Sequence, residues 1–298
     1  YLTQEQAFTS AQNLYINSVA FLYGYIGGSG DSQGLQGTCR GVYDYNTMTT
    51  DEAMIPIRGG DWYDGGLWEN MYQHKWTSSD ASLYETWKYL YKVVMLCNRS
   101  LADLQAYSHL ASEDEIRSWT SEVRAVRALF YFYIMDMFGR VPLVTAADVP
   151  VSEVVQSERS EVMRFVYDEL TEVLPHLAPE RSNRQGKWYG RITRPVAWFL
   201  MAKIALNAEV YADDDWTDGI RPDGSLVMFE VNGIQMNAWE ACTSLCDKLE
   251  SFGYLLEPVY SENFLVHNEG SVENVFTIPL DKNLYRNQFW YLFRSRHY

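Results

Sequence analysis

Apolar residues in this chain recur mostly at intervals of three and four, the spacing of helices that bury one face. Phe8, Ala11, Leu14, Tyr15, Val19 and Leu22 predict a first helix over 4–23, ended by Gly24 and a Gly-Ser run at 27–37, with Gly27-Gly28-Ser29-Gly30 a flexible connection. Trp87, Leu90, Tyr91, Val94, Cys97, Leu101 and Leu104 form a stripe over 84–106, with Asn98 at its edge, placed to bond a nearby backbone group. Ser112 and Glu115 are a capping-box pair opening a helix that runs to about Phe138 and stops at Gly139, with Pro142 just beyond. A fourth helix covers 160–174 and is closed by Pro175. A fifth starts at Thr193, with Pro195 in its first turn, and continues to about Tyr211. The sixth begins at Asn237, has Glu240 three residues on, and ends near Gly253. Residues 273–280 form the one short strand in this reading. The fold class is therefore mostly α, and helices of this length in succession suggest hairpins stacked like tetratricopeptide repeats, without a strict repeat period.

One stretch does not fit the helical pattern. Residues 41–91 carry 11 aromatic side chains, from Tyr43 and Tyr45 through Trp62, Tyr63, Trp68, Tyr72 and Trp76 to Tyr84, Trp87, Tyr89 and Tyr91. Only the last few lie on a stripe; the others sit among Asp, Gly, Ser, Thr and Asn. Flat rings with polar tips on a loop-rich surface suit the apolar face of a sugar, with Arg, Asp and Asn taking its hydroxyls. The alternative is that several of these rings anchor loops in the core. Arg58, beside Gly59 and Gly60, is suited to donate a fork of hydrogen bonds to vicinal hydroxyls. It is equally suited to brace the loop by pairing with Asp51 or Asp61, and the two roles are compatible.

Composition narrows the ligand. The 298 residues are 47% hydrophobic and 15% aromatic, with a net charge of −15. A surface of that sign repels phosphate backbones and anionic headgroups, so nucleic acid and electrostatic membrane binding are disfavoured and a neutral ligand fits. No apolar run is long enough to span a membrane. The chain starts at Tyr1 without Met or an apolar leader, and the expectation is that a targeting segment has been removed.

Little else carries chemistry. Cys39, Cys97, Cys242 and Cys246 make no metal signature and read as small buried hydrophobes, the last two along one helix face. Asp213, Asp214, Asp215, Asp218 and Gly219 resemble a calcium loop only superficially, because Gly224 stands where the closing Glu belongs; a solvated acidic loop is expected. The five histidines lack paired spacing, and there is no Walker loop, GxSxG or dinucleotide fingerprint, so no cofactor and no metal are expected. With 39 Asp and Glu, paired acids for glycoside hydrolysis are always available, and spacing alone does not choose among them.

Six segments in order resemble the SusD/RagB family of outer-membrane glycan-binding lipoproteins. They begin with Thr50-Asp51-Glu52 and Trp62-Tyr63-Asp64-Gly65-Gly66 followed by Trp68, then Trp87, Tyr91 and Asn98 on one helix. The most diagnostic runs from Glu122, Arg124 and Arg127 to Phe132, followed by Phe138-Gly139-Arg140-Val141-Pro142-Leu143. Arg159 with Val162 and Asp168-Glu169-Leu170 is similar to the next helix, and Gly190 to Arg194 with Ala197 and Ala202 to Asn207 to the one after. Phe252 to Leu255, Phe264 and Glu273 to Phe276 complete the set.

The resemblance implies one SusD-like domain over 1–298: four tetratricopeptide-like hairpins carrying a loop-rich glycan site, without the C-terminal part usual in the family. It implies a non-catalytic cell-surface lipoprotein, anchored in the outer membrane by a lipid on a cysteine before Tyr1. The partners it implies are a neutral oligosaccharide, most of all starch or another α-glucan, and a SusC-like TonB-dependent transporter. By the same resemblance Arg58 and Trp76 occupy the binding loop with Asp51, and Ser79 stands where Asn is expected, which weakens one hydrogen bond. Tyr285 and Trp290 are the candidates for the other arm of an aromatic arc. A helical glycoside hydrolase and a peptide-binding helical scaffold are the alternative readings.

Overall fold

The computed structural model describes residues 4–28, 33–36, 40–281 and 283. Its helices, in chain order, are α1 (Gln4–Ala7), α2 (Ala11–Tyr15), α3 (Phe21–Gly27), α4 (Val42–Met48), α5 (Leu67–Tyr72), α6 (Ala81–Ala106), α7 (Glu113–Phe138), α8 (Arg159–Val173), α9 (Arg194–Leu206), α10 (Ala208–Tyr211) and α11 (Ala238–Ser251). Two small antiparallel ladders join them: β1 (Val141–Pro142) with β2 (Gln156–Ser157), and β3 (Met228–Val231) with β4 (Ile234–Asn237). The fold is mostly α, as the periodicity predicts. The residues group into two compact units, 1–22 with 93–279 and 23–92 with 280–298.

In the first unit α7 packs along α8, and α9 along α11. Ser112 caps α7 and Glu115 closes the box, with Ser112 N–H on Glu115 Oε2 at 3.0 Å; Asn237 and Glu240 do the same for α11. The residues shared with the family motifs form the buried polar links. Arg127 on α7 donates to Asn98 Oδ1 on α6 at 2.8 Å and to Glu169 Oε2 on α8 at 2.7 Å. Arg124 also reaches Glu169, at 2.5 Å, and Asn98 Nδ2 donates to the Val144 carbonyl at 2.9 Å. Glu122, buried on α7, takes a two-pronged pair from Arg191 at 2.8 and 2.5 Å. Burial alone would push the Glu169 carboxyl up, but Arg124 and Arg127 outweigh it and hold the group below its usual range.

Several sequence expectations change. The first helix is broken into α1, α2, a π-turn at Ile16–Ala20 and α3. Ser10 caps α2 by accepting from Asn13 N–H, and Gly24 lies inside α3 in open space rather than ending it. Of the Gly27-Gly28-Ser29-Gly30 run, Ser29 and Gly30 lie outside the described residues; Gly27 ends α3, Gly28 turns at φ 72°, and a Cβ on Gly34 would stand 2.3 Å from the Gly27 carbonyl oxygen. Backbone meets backbone there, so only glycine fits. The fifth helix pauses at Asn207, whose side-chain amide bonds the Lys203 carbonyl at 2.9 Å, before α10 resumes.

Residues 273–280 form no strand among the described residues: Glu273 lies in a bend and the rest is irregular. Side chains hold their start instead: Glu273 Oε2 accepts from Asn263 Nδ2 at 2.7 Å, and Asn274 Nδ2 donates to the Asn263 carbonyl at 3.2 Å. The acidic loop is likewise more than a solvated face. Asp214 accepts from the Ser160 backbone N–H at 3.0 Å and from its hydroxyl at 2.6 Å, at the start of α8. Of the described cysteines, Cys97 is buried as expected, but Cys242 is half-buried and Cys246 exposed. The buried stripe of α11 runs through Ala238, Ala241, Leu245 and Leu249, one position away from them.

Candidate functional site

The second unit holds the aromatic stretch, and its backbone is strained there. Among the described residues five non-glycine positions have positive φ, and four of them (Arg40, Trp62, Asp64 and His74) lie in this unit. Such conformations concentrate where surrounding structure holds them for a purpose. Arg58 and Asp61 form a two-residue hairpin turn through their main chains, with Gly59 at φ 62°. Arg40 pairs with Asp64 at 3.0 Å, and Asp64 accepts the Trp68 indole N–H at 2.7 Å.

The rings divide by exposure. Tyr45, Trp68 and Tyr89 are buried: Tyr45 bonds Ser82 at 2.8 Å and Tyr89 donates to the Tyr25 carbonyl at 2.5 Å, so these three anchor the unit. Tyr43, Trp62, Trp87 and Tyr91 are half-buried. Tyr63, Tyr72, Trp76 and Tyr84 are exposed at 57%, 44%, 40% and 58%. Loop anchors and a solvent-facing set therefore coexist, and Trp76 belongs to the second.

Trp76 is placed by the end of α5. His74 adopts φ 55°; its backbone N–H bonds the Met71 carbonyl at 3.2 Å and the Lys75 N–H bonds the Asn70 carbonyl at 2.8 Å. This paired pattern ends a helix with one left-handed residue, a place usually held by Gly or Asn. Here a histidine fills it. Its Nε2 lies 2.8 Å from the Thr49 carbonyl oxygen and its ring centre 5.3 Å from that of Trp76. A carbonyl only accepts, so Nε2 carries the hydrogen. In the sequence His74 is one of five histidines without paired spacing, and its place two residues before Trp76 was the available signal.

The other candidate residues stand as follows. Asp51 is exposed, two residues beyond the Thr49 carbonyl that His74 holds. Ser79 is exposed and its hydroxyl bonds that of Thr77 at 2.8 Å, while Asp80 Oδ2 accepts from Thr77 N–H at 2.5 Å ahead of α6. Arg58 is exposed and, among the described residues, forms no ion pair with Asp51 or Asp61; it meets Asp61 through the main chain only. No hydrogen bond or ring contact among the described residues joins Arg58 to Trp76. Tyr285 and Trp290 lie outside the described residues.

The Asp44 carboxyl of this unit is displaced. Asp44 is fully buried at the start of α4, where Oδ2 accepts from Gly41 N–H at 3.2 Å and Oδ1 has no protein partner. Burial pushes its carboxyl up to about 6, against the pull of the Arg40 and Gly41 backbone hydrogen bonds. What this unit offers chemically is a set of exposed rings, together with the exposed carboxylate of Asp51, hydroxyl of Ser79 and guanidinium of Arg58. In the first unit an open groove of about 500 Å³, lined by Met163, Arg164, Leu226 and Val227 among others, has no aromatic wall.

Comparison with known proteins adds to this geometry. The SusD-like family model, starch-binding and associating with the outer membrane, matches residues 33–206. The chain is 25% identical over 191 residues to the starch-binding protein SusD of Bacteroides thetaiotaomicron, covering 61% of this chain and 30% of that protein. Its fold resembles a laminarin-binding SusD-like protein at a TM-score of 0.66 and 20% identity, covering 90% of this chain and 50% of the other. It also resembles surface glycan-binding protein A from Bacteroides thetaiotaomicron in complex with laminarihexaose, at a TM-score of 0.66 and 17% identity, over 92% of this chain and 50% of that one. The chain thus spans half or less of the length of each.

Proposed function

The chain belongs to the SusD-like family of starch-binding proteins that associate with the outer membrane, and from that premise we propose that it binds a neutral oligosaccharide at the Trp76 platform without cleaving it. The observation that carries this reading is a strained, loop-rich segment presenting Trp76 to solvent with its ring beside His74. An open indole face stacks on the apolar face of a pyranose, while Asp51, Ser79 and Arg58 supply acceptors and donors for hydroxyls. The net charge of −15 favours an uncharged ligand over an acidic one. Tyr285 and Trp290 complete the proposed site from the far end of the chain.

The ligand is a glucan, with starch-type α-glucan placed first. The protein acts at the cell surface as a lipid-anchored outer-membrane component, and it hands its ligand to a SusC-like TonB-dependent transporter. Among the described residues no helix is long and apolar enough to cross a membrane.

Electrophoresis through gels containing amylopectin or laminarin tests the reading. Retardation by amylopectin that Trp76→Ala removes, with helicity unchanged by circular dichroism, is the expected result. Retardation by laminarin alone would keep the platform and change the glucan. Equal migration of wild type and Trp76→Ala would overturn the site, and release of reducing ends from either polymer would overturn the non-catalytic assignment.

A further inference from the structure

Helix α11 carries two thiols that the proposed glycan site does not use. Cys242 and Cys246 are four residues apart, so their Cβ atoms are neighbours on one helix face. Cys246 is exposed and Cys242 half-buried, and both are free thiols one helical turn apart. The helix backbone, fixed at its start by the Asn237–Glu240 capping box and packed on α9, holds that spacing without help from a ligand. A pair of sulfurs preset in this way meets the need of soft acceptors satisfied by two of them. Among the described residues no third His, Cys, Asp or Glu joins them in a metal cluster, which disfavours tetrahedral zinc.

We propose that Cys242 and Cys246 form a chelating dithiol site for thiophilic acceptors that take two sulfurs, the class to which trivalent organoarsenicals and two-coordinate soft cations belong. With phenylarsine oxide as the probe, both S–H bonds and the arsenic–oxygen bond break and two arsenic–sulfur bonds form. The two protons leave with the oxygen as one water, and arsenic stays trivalent. Burial, and after it the neighbouring Cys246, hold the Cys242 thiol above its usual range. Because both thiol protons leave within the water, no proton is released to solvent, and below the thiol range the extent of capture of this probe does not depend on pH.

The experiment uses the full chain carrying Cys39→Ser, so that only the helical pair and the buried Cys97 remain. The protein is loaded with phenylarsine oxide, challenged with a monothiol and then with a dithiol, and read by intact mass and by titration of free thiols. One phenylarsenic group that resists the monothiol and leaves with the dithiol is expected. Retention should fall roughly a hundredfold in Cys242→Ser and in Cys246→Ser, the loss of an intramolecular second contact. An adduct stripped from the parent by the monothiol as readily as from either variant would overturn the proposal. So would an adduct that survives in one single variant with unchanged helicity, because one sulfur would then suffice.

Discussion

The imidazole of His74 sits 5.3 Å from the indole of Trp76, centre to centre, while its Nε2 holds the Thr49 carbonyl at 2.8 Å. One residue in an unfavourable backbone conformation thus ends α5, ties down the preceding loop and flanks the ring that faces solvent. His74→Ala should remove the tie and weaken glucan binding about fivefold, the worth of one hydrogen bond of about 1 kcal/mol. His74→Gln, which can still donate to the carbonyl, should recover most of that loss. Affinity electrophoresis of both variants beside Trp76→Ala checks the order; equal binding by His74→Ala and wild type would remove His74 from the site.

Glu169 is the acceptor shared by Arg124 and Arg127. Glu169→Ala should destabilise the protein by about 3–5 kcal/mol in urea unfolding, because the buried Arg127 guanidinium loses its counter-charge. The sign with pH follows from its depressed carboxyl: this stability is present above the ordinary glutamate range and is lost as pH falls through the lower folded-state value. The variant should therefore show a flatter acid limb than wild type.

Asp44 acts in the opposite sense. Its folded-state value of about 6 lies above the ordinary 3.8, so its favourable contribution is fully present below about pH 4 and is lost as pH rises through 6. The loss amounts to roughly 3 kcal/mol. Asp44→Asn keeps an acceptor for Gly41 N–H and cannot ionise, so unfolding midpoints at pH 5 and pH 7.5 should differ less for the variant than for wild type. An unchanged difference would mean that the buried carboxyl is hydrated.

At Gly34 an added methyl has nowhere to go. Its Cβ would lie 2.3 Å from the Gly27 oxygen and 2.6 Å from the Gly28 nitrogen, both backbone atoms. Gly34→Ala should cost about 1–3 kcal/mol. Gly59→Ala, where nothing lies within 4 Å, should cost only the strain of its φ of 62°. Thermal unfolding of the two variants separates contact from conformation.

Helix positions were legible because periodicity and caps act locally. Ser112 with Glu115 and Asn237 with Glu240 announced α7 and α11 to within a residue. The hairpin of β3 and β4 was also written locally, in Asn232-Gly233, whose φ values of 54° and 79° make the tight turn that such a pair favours; it was overlooked in favour of 273–280. The sorting of rings was not legible. Trp68 and Trp76 sit in similarly polar surroundings in sequence, yet Trp68 is 5% exposed and Trp76 40%. Trp68 bonds Asp64 one turn earlier and lies under Arg40, 28 residues away, and that second contact has no sequence period. For the same reason His74 escaped notice, since its role rests on Thr49, 25 residues away.

Asn98, Arg127 and Glu169 come from three successive long helices and meet at one guanidinium. Sliding α7 or α8 by a single position would part Arg127 from Glu169, and sliding α6 would leave the Asn98 amide without its guanidinium partner. The knot therefore works as a proofreader of assembly: misregistered packings are rejected outright, and the layers that pass are committed to melt together.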